Sequence, residues 1–168
     1  LLNQALTPLG FNTFQVNEIL SHSPAQHGLI WTTKSHQLFL QKQSLVVLPH
    51  PPSKMELEWH ELHKPLIFQE GTLKEFPQPH TNVQKDNKYI EFFDRDQLQL
   101  PLKLRYWRDG DYFYPIGMGG GKQKLKKFFT NERVPIYAKK NVPLLVNGNG
   151  QILWVVGYRM DERFKITN

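Results

Sequence analysis

The 168 residues include no cysteine, so disulfide bridges and thiolate metal sites are excluded. This suits a reducing cytoplasm. No run of about 18 apolar residues occurs, and no transmembrane helix is expected. The opening Leu1-Leu2-Asn3-Gln4 has neither an initiator Met nor a signal-peptide pattern, and reads as the start of a piece cut from a longer protein. Two nucleotide-binding templates are also missing. A Walker loop needs glycine five residues before its Gly-Lys pair and Ser or Thr after it; Ile116 and Gln123 stand there around Gly121-Lys122. The dinucleotide fingerprint starting at Gly117 and Gly119 would need glycine at 122, which is Lys122. His60 and His63 fall short of a His-Glu-x-x-His pair by one residue, and Pro65 cuts any helix there, so they read as surface histidines. Adjacent Asp161 and Glu162 would face opposite ways on a strand, which suits a salt-bridged end with Arg159 or Arg163 better than paired acid–base chemistry.

What the chain does have is positive charge in one place. The formal net charge is +6, yet residues 1–100 carry 8 Lys/Arg against 10 Asp/Glu. Residues 101–140 carry 10 against 3. Such concentration points to a polyanionic partner more than a uniformly basic chain would.

The block centres on Gly117 to Phe129, Gly-Met-Gly-Gly-Gly-Lys-Gln-Lys-Leu-Lys-Lys-Phe-Phe. It reads as a glycine-rich loop running into a basic amphipathic helix. Leu125, Phe128 and Phe129 fall at i, i+3 and i+4, one apolar face. Lys124 and Lys127 fall at i and i+3 on another, with Lys122 upstream and Lys126 between. Burying the apolar face holds the lysines out together. Two readings follow: a solvated face on a core-packed helix, or a site for a nucleic-acid backbone.

The rest of the chain reads as α+β. Residues Leu1 to Leu20 suggest one helix or two broken at Pro8–Gly10, with Phe11, Phe14, Val16, Ile19 and Leu20 as the apolar positions. From Leu29 the period becomes that of strands: Leu29 to Thr33, Gln37 to Gln41 and Ser44 to Leu48, an antiparallel meander ended by the prolines at 49, 51 and 52. Further strands are expected at Met55 to Trp59, Leu66 to Gln69, Thr72 to Phe76, Tyr89 to Phe93 and Leu102 to Arg108, the last placing Lys103 and Arg105 on one face. Pro77 to Lys88 reads as a surface loop, and Asp94 to Gln97 as a turn. Val134-Pro135 can open a second short helix. Pro143 to Val146 and Gln151 to Val156 flank Asn147-Gly148-Asn149-Gly150, a hairpin signal. The expected division is a helical segment at 1–24 and an α+β domain at 29–168.

One ordered series crosses the last third: Arg105-Tyr106-Trp107-Arg108-Asp109-Gly110-Asp111, Pro115-Ile116-Gly117-Met118, Lys124-Leu125-Lys126-Lys127-Phe128-Phe129, Val134-Pro135, Pro143-Leu144-Leu145, and Trp154 to Phe164. Over residues 102–166 it resembles the C-terminal domain of bacterial tRNA(Ile)-lysidine synthetases. The meander resembles the segment opening that region, and Leu1 to Leu20 the end of the helical domain before it. The loop Gly117 to Lys122 carries one residue more than the family's usual Gly-Met-x-Gly-x-Lys, and Gln123 stands where a second lysine is common.

The resemblance implies a parent enzyme that joins lysine to the wobble cytidine of an isoleucine tRNA with a CAU anticodon, using ATP. Catalysis, with ATP and Mg, would lie in an N-terminal domain bearing a Ser-Gly-Gly-x-Asp-Ser loop, a motif this sequence does not contain. The chain itself would hold no cofactor and be catalytically silent. It would bind tRNA on the acceptor-stem side, with its own catalytic domain and a second copy as further candidate partners. The RNA-facing set so implied is Arg105, Arg108, Lys122, Lys124, Lys126, Lys127 and Arg133. Arg108 could instead brace the turn by pairing with Asp111. Trp107, Tyr112 and Trp154 are candidates for base stacking or for the core. The rival reading is a scaffold or dimerisation module without RNA contact.

Overall fold

The structure is a computed structural model that describes residues 1–23, 28–41, 44–50, 55–76 and 87–167. The fold is α+β, and the chain forms two compact units. Residues 1–53 and 135–140 make the first, residues 54–134 and 141–168 the second. The helices and the meander thus fall in one compact unit. Among the described residues no helix is long and apolar enough to cross a membrane.

In the first unit, α1 (Leu2–Leu6) runs through a 3-10 turn into Gly10, whose left-handed φ of 88° turns the chain. Helix α2 (Thr13–Ser21) is started by a capping box: the Asn12 side chain accepts the Gln15 N–H at 2.8 Å, and the Gln15 side chain accepts the Asn12 N–H at 3.1 Å. Strands β1 (Leu29–Thr32), β2 (His36–Gln41) and β3 (Ser44–Pro49) form the expected meander, with β2 central. Leu6, Phe11, Val16 and Ile19 pack with Trp31, Leu38 and Leu40. Phe14 and Leu20, expected on that face, are 77% and 64% exposed. Phe14 lies two positions from Val16, roughly 200° around the helix, so both cannot face one sheet. Strand β2 is buried from Gln37 to Leu40 because its other face is covered too. There Phe39 meets the ring of Tyr137, centroids 6.0 Å apart, from the segment at 135–140 that returns to this unit.

The second unit is built on a five-stranded antiparallel sheet. Its strands are β4 (Glu56–Trp59), β7 (Leu102–Tyr106), β10 (Pro143–Val146), β11 (Ile152–Val155) and β12 (Arg159–Met160), in the order β12-β11-β10-β7-β4. A small hairpin, β5 (Leu66–Phe68) with β6 (Gly71–Leu73), sits apart from it, so the strand expected at Thr72 to Phe76 is shorter and earlier. Tyr89 to Phe93 is not a strand. The Asn87 side chain accepts the Tyr89 N–H at 3.0 Å and its carbonyl accepts the Ile90 N–H at 3.0 Å, which closes a turn; Phe93 alone bridges Lys165. The expected loop at Pro77 to Lys88 lies mostly outside the described residues. The β10–β11 hairpin forms as expected, but its Asn147 is fully buried. The side chain accepts the Gln99 N–H at 2.6 Å and donates to the Gln97 carbonyl at 3.0 Å, fastening the hairpin to the approach of β7.

Two apolar clusters hold this unit. One gathers Trp59, Leu102, Leu145, Leu153, Trp154, Met160 and Phe164. The other is aromatic and belongs to α3 (Leu125–Asn131), whose buried residues are Leu125, Phe128 and Phe129, the face expected from the spacing. Phe128 meets Phe113 edge-on at 4.9 Å, and the rings of Phe128 and Phe129 both pack on Tyr158.

Phe128 is 1% exposed. Phe128→Ala should therefore destabilise the unit by about 3–5 kcal/mol in a denaturant titration. A change within about 0.5 kcal/mol, the ordinary surface range, would mean that α3 is not anchored through this ring.

Candidate nucleic-acid interface

The interface starts at a turn. Arg105 is 8% exposed and its guanidinium grips Asp111 through two hydrogen bonds, Nη1 to Oδ2 at 2.7 Å and Nη2 to Oδ1 at 2.9 Å. The same carboxylate accepts the Arg108 N–H at 2.7 Å, and the Asp111 carbonyl accepts the Leu125 N–H at 2.9 Å. The turn is thus tied to the first residue of α3. Arg105 is consequently not on the exposed surface where the sequence placed it: strand alternation put it beside Lys103, but that face of β7 is closed over by the turn that follows. The Arg108 side chain pairs not with Asp111 but with Glu56 on β4, and this cation holds the Glu56 carboxyl below its usual range. Lys103 faces Glu58 at 3.4 Å.

After the turn, β8 (Tyr112–Phe113) pairs antiparallel with β9 (Gln123–Lys124). The glycine-rich stretch is therefore the loop of a β-hairpin. Gly119 and Gly120 both take left-handed φ, 68° and 72°, a path that residues with a Cβ rarely follow. The Arg159 guanidinium supports its entry by donating to the Ile116 carbonyl at 3.3 Å. Lys122, at the loop's exit, lays its ammonium over the Tyr112 ring, 3.6 Å from the centroid.

Lys124 ends β9 and caps α3, so it precedes the helix rather than sharing a helical face with Lys127. It is nevertheless exposed, as are Lys122, Lys126, Lys127 and Arg133. Arg133 follows α3 with φ 54°, the left-handed position usually given to glycine at a helix end. Among the described residues no carboxylate pairs with any of these five. By contrast Lys103, Arg105, Arg108, Arg159 and Arg163 each have one. The hairpin and helix therefore carry five uncompensated cations on adjoining segments, which attract anions and are least costly to hold when an anion is bound.

Of the three aromatic candidates, Trp154 is in the core at 5% exposure, and Trp107 packs edge-on against Phe129 at 5.7 Å. Tyr112 is the exposed one, at 41%. His60 and His63 are exposed beside Glu58 and Glu61, and no group of three metal-ligating side chains occurs among the described residues.

The second unit also has a concavity of about 660 Å³ that no sequence pattern marks. Trp59, Leu73, Phe76, Leu98 and Trp154 line it, and Glu91 borders it. Burial pushes the Glu91 carboxyl up to about 7, against a backbone hydrogen bond from Met160 that pulls it down. The stretch holding Glu91 reads from sequence as a strand, and nothing in its alternation marks the carboxylate as half-buried.

The comparisons with known proteins fall on both units. The family described as "TilS substrate C-terminal domain" matches residues 102–168, and "TilS substrate binding domain" matches residues 1–50. The tRNA(Ile)-lysidine synthase of Bacteroides thetaiotaomicron is 30% identical over 165 residues, 98% of this chain and 36% of that protein. The enzyme of the same name from Caldanaerobacter subterraneus subsp. tengcongensis is 46% identical over 79 residues, covering 47% of this chain and 16% of its own. That from Parabacteroides distasonis is 45% identical over 80 residues, 48% and 18%. The chain thus spans 36% or less of the length of each of these relatives. A crystal structure of a "TILS C-terminal domain" is 30% identical, with a TM-score of 0.44, over 53% of this chain and 67% of that one.

The Glu91 carboxyl gives a pH prediction. Its folded value, about 7, lies above the ordinary 4.5, so between these values the folded protein holds a proton that the unfolded chain releases. Stability should fall as pH rises from about 4.5 through about 7 by this group's share. Glu91→Gln should remove that share: melting temperatures measured at pH 5 and pH 8 should differ less for the variant than for the parent. Equal differences would show that Glu91 titrates normally.

Proposed function

Because the chain belongs to the C-terminal region of the tRNA(Ile)-lysidine synthases, we propose that its uncompensated cations hold the phosphate backbone of the isoleucine tRNA on the acceptor-stem side. The observation that carries this reading is the sorting of charge on the second unit. Arg105, Arg108 and Lys103 are spent on carboxylates that brace the fold. Lys122, Lys124, Lys126, Lys127 and Arg133 are exposed with no such partner among the described residues. A flexible ammonium on a long stem is a point charge suited to phosphate, and phosphate contacts fix position and register without reading sequence.

In this reading the chain positions the tRNA and performs no chemistry. Attachment of lysine to the wobble cytidine with the CAU anticodon, and the ATP and Mg that drive it, belong to a catalytic domain of the longer enzyme in the cytoplasm. The arrangement suits that division. Anticodon and acceptor stem lie at opposite ends of a tRNA, so a remote grip adds affinity without crowding the reacting base. Arg108 is set aside from the RNA-facing group because Glu56 already compensates it, and Arg105 because it is buried.

Replacing Lys124 and Lys127 together by alanine should weaken tRNA binding nearly uniformly across RNA sequences. It should also make the dependence of log K on log salt shallower by roughly 0.7–0.9 for each phosphate that is no longer neutralised. Stability should stay within about 0.5 kcal/mol of the parent. A filter-binding titration at two salt concentrations tests this; an unchanged affinity and slope would remove these lysines from the interface and favour a scaffold role.

A further inference from the structure

Alternation along β8 and the residue after it separates the aromatic side chains into two sets. Phe113 turns inward, fully buried against Phe128. Tyr112 and Tyr114 consequently lie on the opposite side, their rings 6.2 Å apart and edge-to-face. Each ring carries a cation. The Lys122 ammonium sits over Tyr112 at 3.6 Å, and the Arg163 guanidinium over Tyr114 at 4.4 Å.

The two ends of this ladder differ in rigidity. Arg163 is clamped by Asp161, which is 0% exposed: Nε donates to Oδ1 at 2.9 Å and Nη2 to Oδ2 at 2.8 Å. The same carboxylate accepts the Tyr114 N–H at 2.9 Å, so ring and guanidinium are locked to one anchor. Lys122 has no such anchor; it leaves a glycine loop and has no carboxylate partner among the described residues. Its ammonium can exchange the ring face for a phosphate oxygen, and the face it vacates belongs to an exposed tyrosine.

We infer that Tyr112, backed by the fixed Tyr114–Arg163 pair, is a stacking platform for an unpaired nucleotide beside the phosphate-binding lysines. The inference rests on the proposed RNA reading and specifies which part of an RNA this surface takes. Paired bases cover one another's faces and cannot lie flat on a protein ring, whereas an unpaired or terminal base can. A large aromatic ring left exposed among phosphate-attracting cations suits the second and has no use in gripping plain duplex. Stacking reads a π-face and no base edge, so the site is tolerant of base identity. The surface therefore fits a junction, with duplex phosphates on Lys124, Lys126 and Lys127 and the first unpaired base on Tyr112.

Two RNA hairpins test this on the chain as it stands: one with a blunt stem, the other with the same stem and a short unpaired 3′ tail containing 2-aminopurine. The parent should prefer the tailed RNA and quench the fluorophore on binding. Tyr112→Ala should lose at least about 5-fold in affinity for the tailed RNA, within the range of base–aromatic stacking, and leave the blunt one unchanged. Tyr112→Phe should retain both the preference and the quenching. The salt slope should be the same for all three proteins, because no charge is removed. A parent with no preference for the tail, or an alanine variant that weakens both RNAs equally, would overturn the platform while the phosphate reading stands. Failure of the parent to bind either RNA would overturn both.

Discussion

The bidentate pair between Arg105 and Asp111 is the joint on which the basic surface turns. A single carboxylate takes the guanidinium of β7 and the N–H of Arg108, while the carbonyl of the same residue takes the first N–H of α3. The turn cannot open without leaving a charge largely buried and unpaired, which costs about 3–5 kcal/mol in comparable cases. With the turn closed, β8 must leave in one direction and α3 must start beside it. The aromatic face of α3 then drops onto Phe113 and Tyr158, and the lysines are left outside. The display of cations is thus a by-product of an ion pair and a set of buried rings.

That arrangement sorts the basic residues into two kinds. Charge counted along the chain cannot make the distinction, since all ten cations of residues 101–140 add equally to the sum. Geometry makes it by supplying carboxylates: Asp111 to Arg105, and Glu56 and Glu58 of the neighbouring strand β4 to Arg108 and Lys103. The cations they reach become structural. Those on the hairpin and α3 are beyond their reach.

Much of this was legible beforehand, where the signal is local. The meander, the Asn-Gly hairpin, the buried face of Leu125, Phe128 and Phe129, and the break at Pro8–Gly10 all follow from period, turn chemistry and the habits of glycine and proline. The misses share a different cause. Arg105 looked exposed because strand alternation says nothing about a later turn folding back. Lys124 looked helical because spacing does not show where a two-residue strand ends. Tyr89 to Phe93 looked like a strand because the Asn87 side chain, which captures its first N–H, lies outside the apolar pattern. Helix α2 kept a narrower buried stripe than its composition suggested.

The passage of residues 135–140 into the first unit has a consequence for how the protein is made. Helices α1 and α2 and the meander are synthesised early, and domains generally fold in the order they emerge. Yet Tyr137, whose ring packs on Phe39 at the outer face of β2, is made only after β4, β7 and α3. Phe39 lacks that contact through the interval. The first unit can gather its helices and its three strands before that segment exists, but receives the Tyr137 ring only when most of the second unit has been made.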